Sequence, residues 1–147
     1  MNISFSYLLV LACALAVTSA PLRAADQPKP SASGEANKSF RNVGVEEFDK
    51  MRKGTNVVVL DVRTPKEFSE GHLANAANLD FYAADFAQQL GKLDKSKTYL
   101  VHCAAGGRSA KACTTMTQLN FISAVNFEGG YKAWIKAEKP VVPPSTK

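Results

Sequence analysis

The apolar positions of this chain change their period repeatedly from about Phe40 onward, and each change marks an element. Val45, Phe48 and Met51 recur at helical spacing and predict a helix over VEEFDKM, Val45–Met51. NVVVLDV, Asn56–Val62, is a short β-branched run that predicts a strand buried on both faces. KEFSEGH, Lys66–His72, predicts a short helix ended by Gly71, and AANLD, Ala76–Asp80, a short strand. In AADFAQQLGKL, Phe86 and Leu90 share one helical face and Gly91 stops the helix. TYLVHC, Thr98–Cys103, is a second buried strand. Arg108–Asn120 is a helix with the stripe Ala112, Cys113, Met116 and Leu119. SAVNF, Ser123–Phe127, is a further strand, and Gly129-Gly130 leads into a last helix through Trp134. This alternation predicts an α/β layer fold with a mainly parallel sheet. Such sheets place ligand sites at the carboxyl ends of their strands, where Cys103 falls.

The flanks read differently. YLLVLACALAV, Tyr7–Val17, is an apolar run of signal-peptide length with no Lys or Arg before it. Ala20, Ala24 and Ala25 follow as candidate cleavage residues. Pro21 disfavours the first, so a signal over 1–25 cut after Ala24 or Ala25 is expected, with an uncleaved anchor or lipidation at Cys13 as the alternatives. Export would make the protein periplasmic or secreted, without stable membrane association after cleavage. Residues 26–39, rich in Pro, Ser, Gly and Lys, read as a flexible linker. Residues 139–147 read as a disordered tail, because three prolines there forbid a helix. The folded unit is thus 40–138.

Composition narrows the function classes. The 147 residues suffice for one domain, and 46% hydrophobic with 21% charged residues is a globular balance. The formal net charge is +5, or +4 once Arg23 is removed with the signal. The lysines are scattered and no basic run alternates with aromatic residues, so a nucleic-acid partner is unsupported. A mild positive field suits small anionic substrates.

The chemistry concentrates in VHCAAGGRSA, Val101–Ala110. Backbone N–H groups at the start of the helix from Arg108 lack intrahelical partners and carry partial positive charge. Ala104, Ala105, Gly106 and Gly107 present nothing bulky, so their N–H groups can curl around one centre. An anion there would be held by main-chain donors, and the sulfur of Cys103 would occupy the position. A helix N-terminus beside an arginine lowers a thiol pKa, which describes an activated nucleophile. The plain alternative is a strand-to-helix turn with a buried cysteine.

At these residues the chain resembles the rhodanese-like sulfurtransferases, over about Val45–Trp134. LDVRTPKEFSEGHLANAANL, Leu60–Leu79, is similar to the family's first signature; CAAGGRS resembles its active loop of pattern C-x-x-G-x-R; NFEGGYKAW, Asn126–Trp134, is similar to its closing signature. The departure is Ala74–Ala76, where many members carry Pro-Gly-Ala in a turn. The resemblance implies a single-domain parallel sheet of about five strands with helices on both faces. It also implies two-step transfer without a cofactor. Cys103 takes the outer sulfur of an anionic donor such as thiosulfate, and a thiol, of a small molecule or a protein, or cyanide then removes it. A ring of donors from Ala104 to Arg108 suits the persulfide, and a covalent intermediate divides one transfer into two.

Two rivals remain. Cysteine-dependent phosphatases and arsenate reductases resemble the loop, and His102-Cys103 copies their opening pair. Their pattern has five residues between cysteine and arginine, whereas four stand here, which shrinks the ring below what a tetrahedral oxyanion needs. No general acid is evident either. The other rival is a persulfide carrier with little turnover.

The remaining candidates divide between site and scaffold. Asp61 and Arg63 end the first buried strand and would either orient the loop or form a scaffold ion pair, with Arg63 meeting Glu67. His72 reads as a turn and packing residue, and His102 as core. Two histidines and two mature cysteines offer no metal-ligand spacing, so no metal is expected. Arg108 would brace the loop and bias it toward anions, and Ser109 would cap or brace the helix. Cys113 lies about six residues along that helix, roughly 9 Å at 1.5 Å per residue. That is too far for a relaxed bridge to Cys103, so a buried free thiol is expected.

Overall fold

The computed structural model describes residues 39–144. The expected signal and nearly all of the expected linker lie outside the described residues. Five parallel strands form one sheet, and each element follows from its sequence. The strands are β1 (Arg41–Val43), β2 (Val57–Asp61), β3 (Ala77–Asn78), β4 (Thr98–His102) and β5 (Ser123–Phe127). Between and after them run α1 (Val45–Met51), α2 (Pro65–Ser69), α3 (Phe86–Gly91), α4 (Gly107–Gln118) and α5 (Gly130–Lys136). The spatial order is β1-β5-β4-β2-β3. The single-domain α/β fold with a parallel five-stranded sheet is therefore the one expected.

Side chains alternate across the central strands and build two cores. Leu60, Val62, Tyr99, Val101 and Cys103 pack under α3 and α4 with Leu90, Ala112, Cys113 and Met116. Val59, Leu100, Val125 and Phe127 face the other way, against Phe48 of α1 and Trp134 of α5. Phe48 and Phe127 are stacked at 4.4 Å, and Trp134 meets both edge-on. Burial on both faces is why the interiors of β2 and β4 read as unbroken apolar runs rather than alternating ones.

Three features differ from expectation. β1 was not visible in the periodicity: it is a three-residue edge strand with only Val43 buried, parallel to β5 through Arg41 and Val125. The expected disordered tail is corrected at its start. His72 and Val142 exchange both backbone hydrogen bonds (3.2 and 2.8 Å) in an antiparallel bridge. The Trp134 indole donates to the Pro140 carbonyl at 2.9 Å, and Lys139 pairs with Glu46 and Asp49. Proline excludes a helix there but leaves its carbonyl free to accept. Lastly, α2 begins at Pro65, one residue before the expected Lys66, because Thr64 caps it, and its C-cap Glu70 stands directly before the expected stop at Gly71. The Thr64 hydroxyl accepts from the Glu67 amide, and the Glu67 carboxylate accepts from the Thr64 amide.

A polar cluster lies buried on the Phe48 side of the sheet. Asp61 and His102 are register partners on β2 and β4, with His102 Nε2 3.6 Å from Asp61 Oδ2. Neither ring nitrogen of His102 has a hydrogen-bond partner, and Phe48 meets the ring edge-on. Burial, opposed by the Asp61 charge and assisted by that of Arg63, lowers the His102 pKa to about 4. The unfolded chain therefore binds more protons than the folded one between that value and about 6.5, so stability is lost as pH falls through this window. Carboxylates held below their ordinary range, such as Glu67, act only below about pH 4.5. Urea midpoints should show the domain losing about 2 kcal/mol between pH 7 and pH 5. His102→Phe is expected to flatten that slope, and an unchanged slope would mean another group titrates.

Candidate active site

β4 delivers Cys103 to the carboxyl edge of the sheet, and the chain then winds through a four-residue loop into α4. Gly106 makes the turn with φ 98°, in the left-handed region. This aims the Gly106 amide back at Cys103 Sγ, 3.1 Å away. The Ser109 hydroxyl has two acceptors within reach of its one proton, the Gly106 carbonyl at 3.0 Å and the same sulfur at 3.5 Å, and a thiolate draws it to the sulfur. Burial pushes the Cys103 thiol pKa up, but the Ser109 hydroxyl outweighs it together with the amides of Ser109, Ala105 and Gly106, leaving it below the ordinary value. Of the donors expected from Ala104 to Arg108, those of Ala105 and Gly106 thus face the sulfur. Ser109 supplies its amide and hydroxyl as well as bracing the helix. Cys113 is a buried free thiol with its pKa pushed up to about 12 by burial alone, so the two thiols differ sharply in reactivity.

The loop is held from beneath by α5. The Tyr131 amide donates to the Cys103 carbonyl at 2.8 Å and the Lys132 amide to the Ala104 carbonyl at 3.0 Å. Tying the Ala104 carbonyl to α5 fixes the peptide plane that carries the Ala105 amide, one of those acting on the sulfur. Such contact requires the absence of a side chain at Gly130, whose φ is 55°. A Cβ there would overlap the Cys103 carbonyl oxygen and lie 3.0 Å from Ala104 C and Ala105 N. Gly130 and the two amides after it are site residues that periodicity did not mark. The Gly129-Gly130 pair was their signal.

The expected ion pair between Arg63 and Glu67 is corrected. Arg63 instead turns back on Asp61, with bonds of 2.6–3.0 Å, and also donates to the Gly71 carbonyl at 2.8 Å. Its guanidinium lies 3.9 Å over the Tyr131 ring. A fully buried charge needs its partner equally buried, and Asp61 is, whereas Glu67 is only half-buried. Through Tyr131 the Asp61–Arg63 pair reaches the segment that holds the loop. Glu67 takes Arg108 instead, in a two-bonded pair of 2.8 and 2.7 Å. The Tyr82 ring, 68% exposed, lies 5.5 Å from the same guanidinium. His72 stacks on Phe68 at 3.9 Å with Nδ1 3.1 Å from the Phe68 carbonyl, a packing role.

A parallel α/β domain with a cysteine thiol cradled by main-chain amides defines a class of protein built for nucleophilic chemistry at sulfur. Residues 44–137 match the rhodanese-like domain, and the chain belongs to that family. It is similar to thiosulfate sulfurtransferase 16, chloroplastic, of Arabidopsis thaliana, 37% identical over 91 residues that cover 55% of this chain and 76% of that protein. A sulfurtransferase of Allochromatium vinosum is 28% identical over 89 residues, covering 60% and 81%. Among solved structures, a rhodanese-related protein of Thermoplasma volcanium superposes with a TM-score of 0.63 at 34% identity, covering 70% of this chain and 98% of that one. Family and relatives together support sulfurtransferase activity in general.

Proposed function

We propose that the chain moves a sulfane sulfur from a donor to a thiol acceptor through a persulfide on Cys103. The observation that carries this reading is the Cys103 thiol at the end of β4, with the Gly106 amide 3.1 Å from its sulfur and its pKa held below the ordinary value by the surrounding hydroxyl and amides. With thiosulfate as donor, the Cys103 thiolate attacks the outer sulfur and the S–S bond breaks. Sulfite leaves with the electron pair, and Cys103 carries S–S⁻. An acceptor thiolate then attacks the terminal sulfur, takes it as its own persulfide and returns Cys103 as thiolate. The same amides serve both anions, and no proton need be supplied at the leaving group. Arg108, with Ala104 and Gly107, completes the wall of the loop, while Asp61 and Arg63 support it from below.

The steady-state test is sulfite-releasing turnover with thiosulfate and cyanide, expected for the wild type and lost in Cys103→Ala. Persulfide formed once per chain with negligible turnover would instead favour a carrier. The rate of persulfide formation should rise with pH to a plateau whose midpoint lies below that of an ordinary thiol. Ser109→Ala should move this midpoint upward, because the hydroxyl is the largest of the stabilising contributions. An unmoved midpoint would remove Ser109 from the site. Export is proposed alongside, and an intact mass of the mature protein beginning at Ala25 or Asp26 would test it.

A further inference from the structure

Two arginines flank the loop, and each has its charge taken by a carboxylate. Arg63 is sealed against Asp61 inside the domain. Arg108, the residue that ends the loop, is only partly buried, with 17% of its side chain exposed, and the Glu67 that meets it is not a casual surface partner. Glu67 Oε2 accepts from the Thr64 amide (3.0 Å), the Thr64 hydroxyl (3.0 Å) and Arg108 Nη1 (2.8 Å), and Oε1 accepts from Arg108 Nη2 (2.7 Å). Both oxygens are occupied, and the carboxylate cannot swing away without undoing the capping box that starts α2. Across the guanidinium lies the exposed Tyr82 ring. Arg108 is thus held between a fixed anion and an aromatic face. Lys132, at the start of α5, is exposed, where water and salt screen its charge.

We infer that Glu67 sets the charge selectivity of the site. By closing Arg108 into an ion pair, it weakens the hold on dianionic sulfur donors such as thiosulfate and leaves a near-neutral mouth, walled by Tyr82, for a persulfide carried on a thiol. This rests on the sulfur-transfer reading above. In the favoured reaction the Cys103 thiolate attacks the outer sulfur of R–S–SH. The S–S bond of the donor breaks, R–S⁻ leaves with the electron pair and takes up the persulfide proton, and Cys103 holds the sulfur. Glu67 touches no reacting atom; it is a positioning residue that acts through Arg108.

Glu67→Gln keeps an acceptor for the Thr64 amide and hydroxyl while removing the charge that neutralises Arg108. Turnover is compared with two probes, thiosulfate and the persulfide of 2-mercaptoethanol. The variant is expected to lower KM for thiosulfate about fivefold at low ionic strength, the attraction of one exposed positive charge for a dianion at short range. Salt at about 0.5 M should erase that gain, and kcat/KM for the mercaptoethanol persulfide should change less than about twofold. An equal or higher thiosulfate KM in the variant would overturn the inference. If the variant does not fold, the wild type decides. Its thiosulfate KM should change less than about twofold from ~20 to ~200 mM salt, whereas a rise of fivefold or more would show Arg108 already open to the donor. Should wild-type Cys103 take sulfur from neither probe, the sulfur-transfer reading itself fails and this one goes with it.

Discussion

Asp61→Ala is expected to destabilise the domain by about 3–5 kcal/mol, the cost of leaving a buried charge without its partner. The Arg63 guanidinium is sealed in, with side-chain exposure of 4% against 0% for Asp61. It cannot reach water without pulling away from Gly71 and from the Tyr131 ring. For a domain of about a hundred residues the melting temperature should fall by well over 10 °C. The double variant Asp61→Leu, Arg63→Met should recover much of the loss, because a buried pair exchanged for apolar groups of similar volume is often close to neutral. A melting temperature for Asp61→Ala within 3 °C of the wild type, about half a kcal/mol, would show that the pair is not sealed as described.

Gly130→Ala is expected to lower sulfur transfer by about 100-fold, the scale associated with a displacement of roughly 1 Å at a reacting group. The added Cβ meets main-chain atoms of Cys103, Ala104 and Ala105, which have no side-chain freedom with which to yield. The loop must lift from α5, and the amides of Tyr131 and Lys132 lose the carbonyls they hold. Since the Lys132 bond orients the peptide that carries the Ala105 amide, the thiol should become less acidic as well. Alkylation of Cys103 followed against pH separates this from simple unfolding. An upward midpoint in a protein that still melts cooperatively supports the account, and a wild-type midpoint with wild-type transfer contradicts it.

The central strands were legible because they are buried on both faces: Val57–Leu60 and Tyr99–Val101 are continuous apolar runs, and Ser123–Phe127 carries Ala124, Val125 and Phe127 in a short segment. β1 was not, since one buried valine in three residues carries no period. The prolines after Lys139 argued correctly against a helix, yet they are silent about a bridge built from the backbone of Val142. Cys103 and its loop could be read locally, because strand end, small residues and helix start are contiguous. Partner choice could not. Arg63 had carboxylates available two residues before it and four after, and burial decided for Asp61. The pairing of Glu67 with Arg108, 41 residues apart, depends on the approach of α2 to α4. The close contact under Gly130 exists only because α5 returns beneath the loop.

The most direct measurement is a peptide mass map of the protein after exposure to a sulfane-sulfur donor and removal of the excess. The account predicts a gain of about 32 Da, one sulfur atom, on the peptide that contains Cys103, reversed by an acceptor thiol. Cys113 should stay unmodified, and Cys103→Ala should gain nothing. Sulfur gained on Cys113, or on neither cysteine with thiosulfate and a thiol persulfide both supplied, would contradict it.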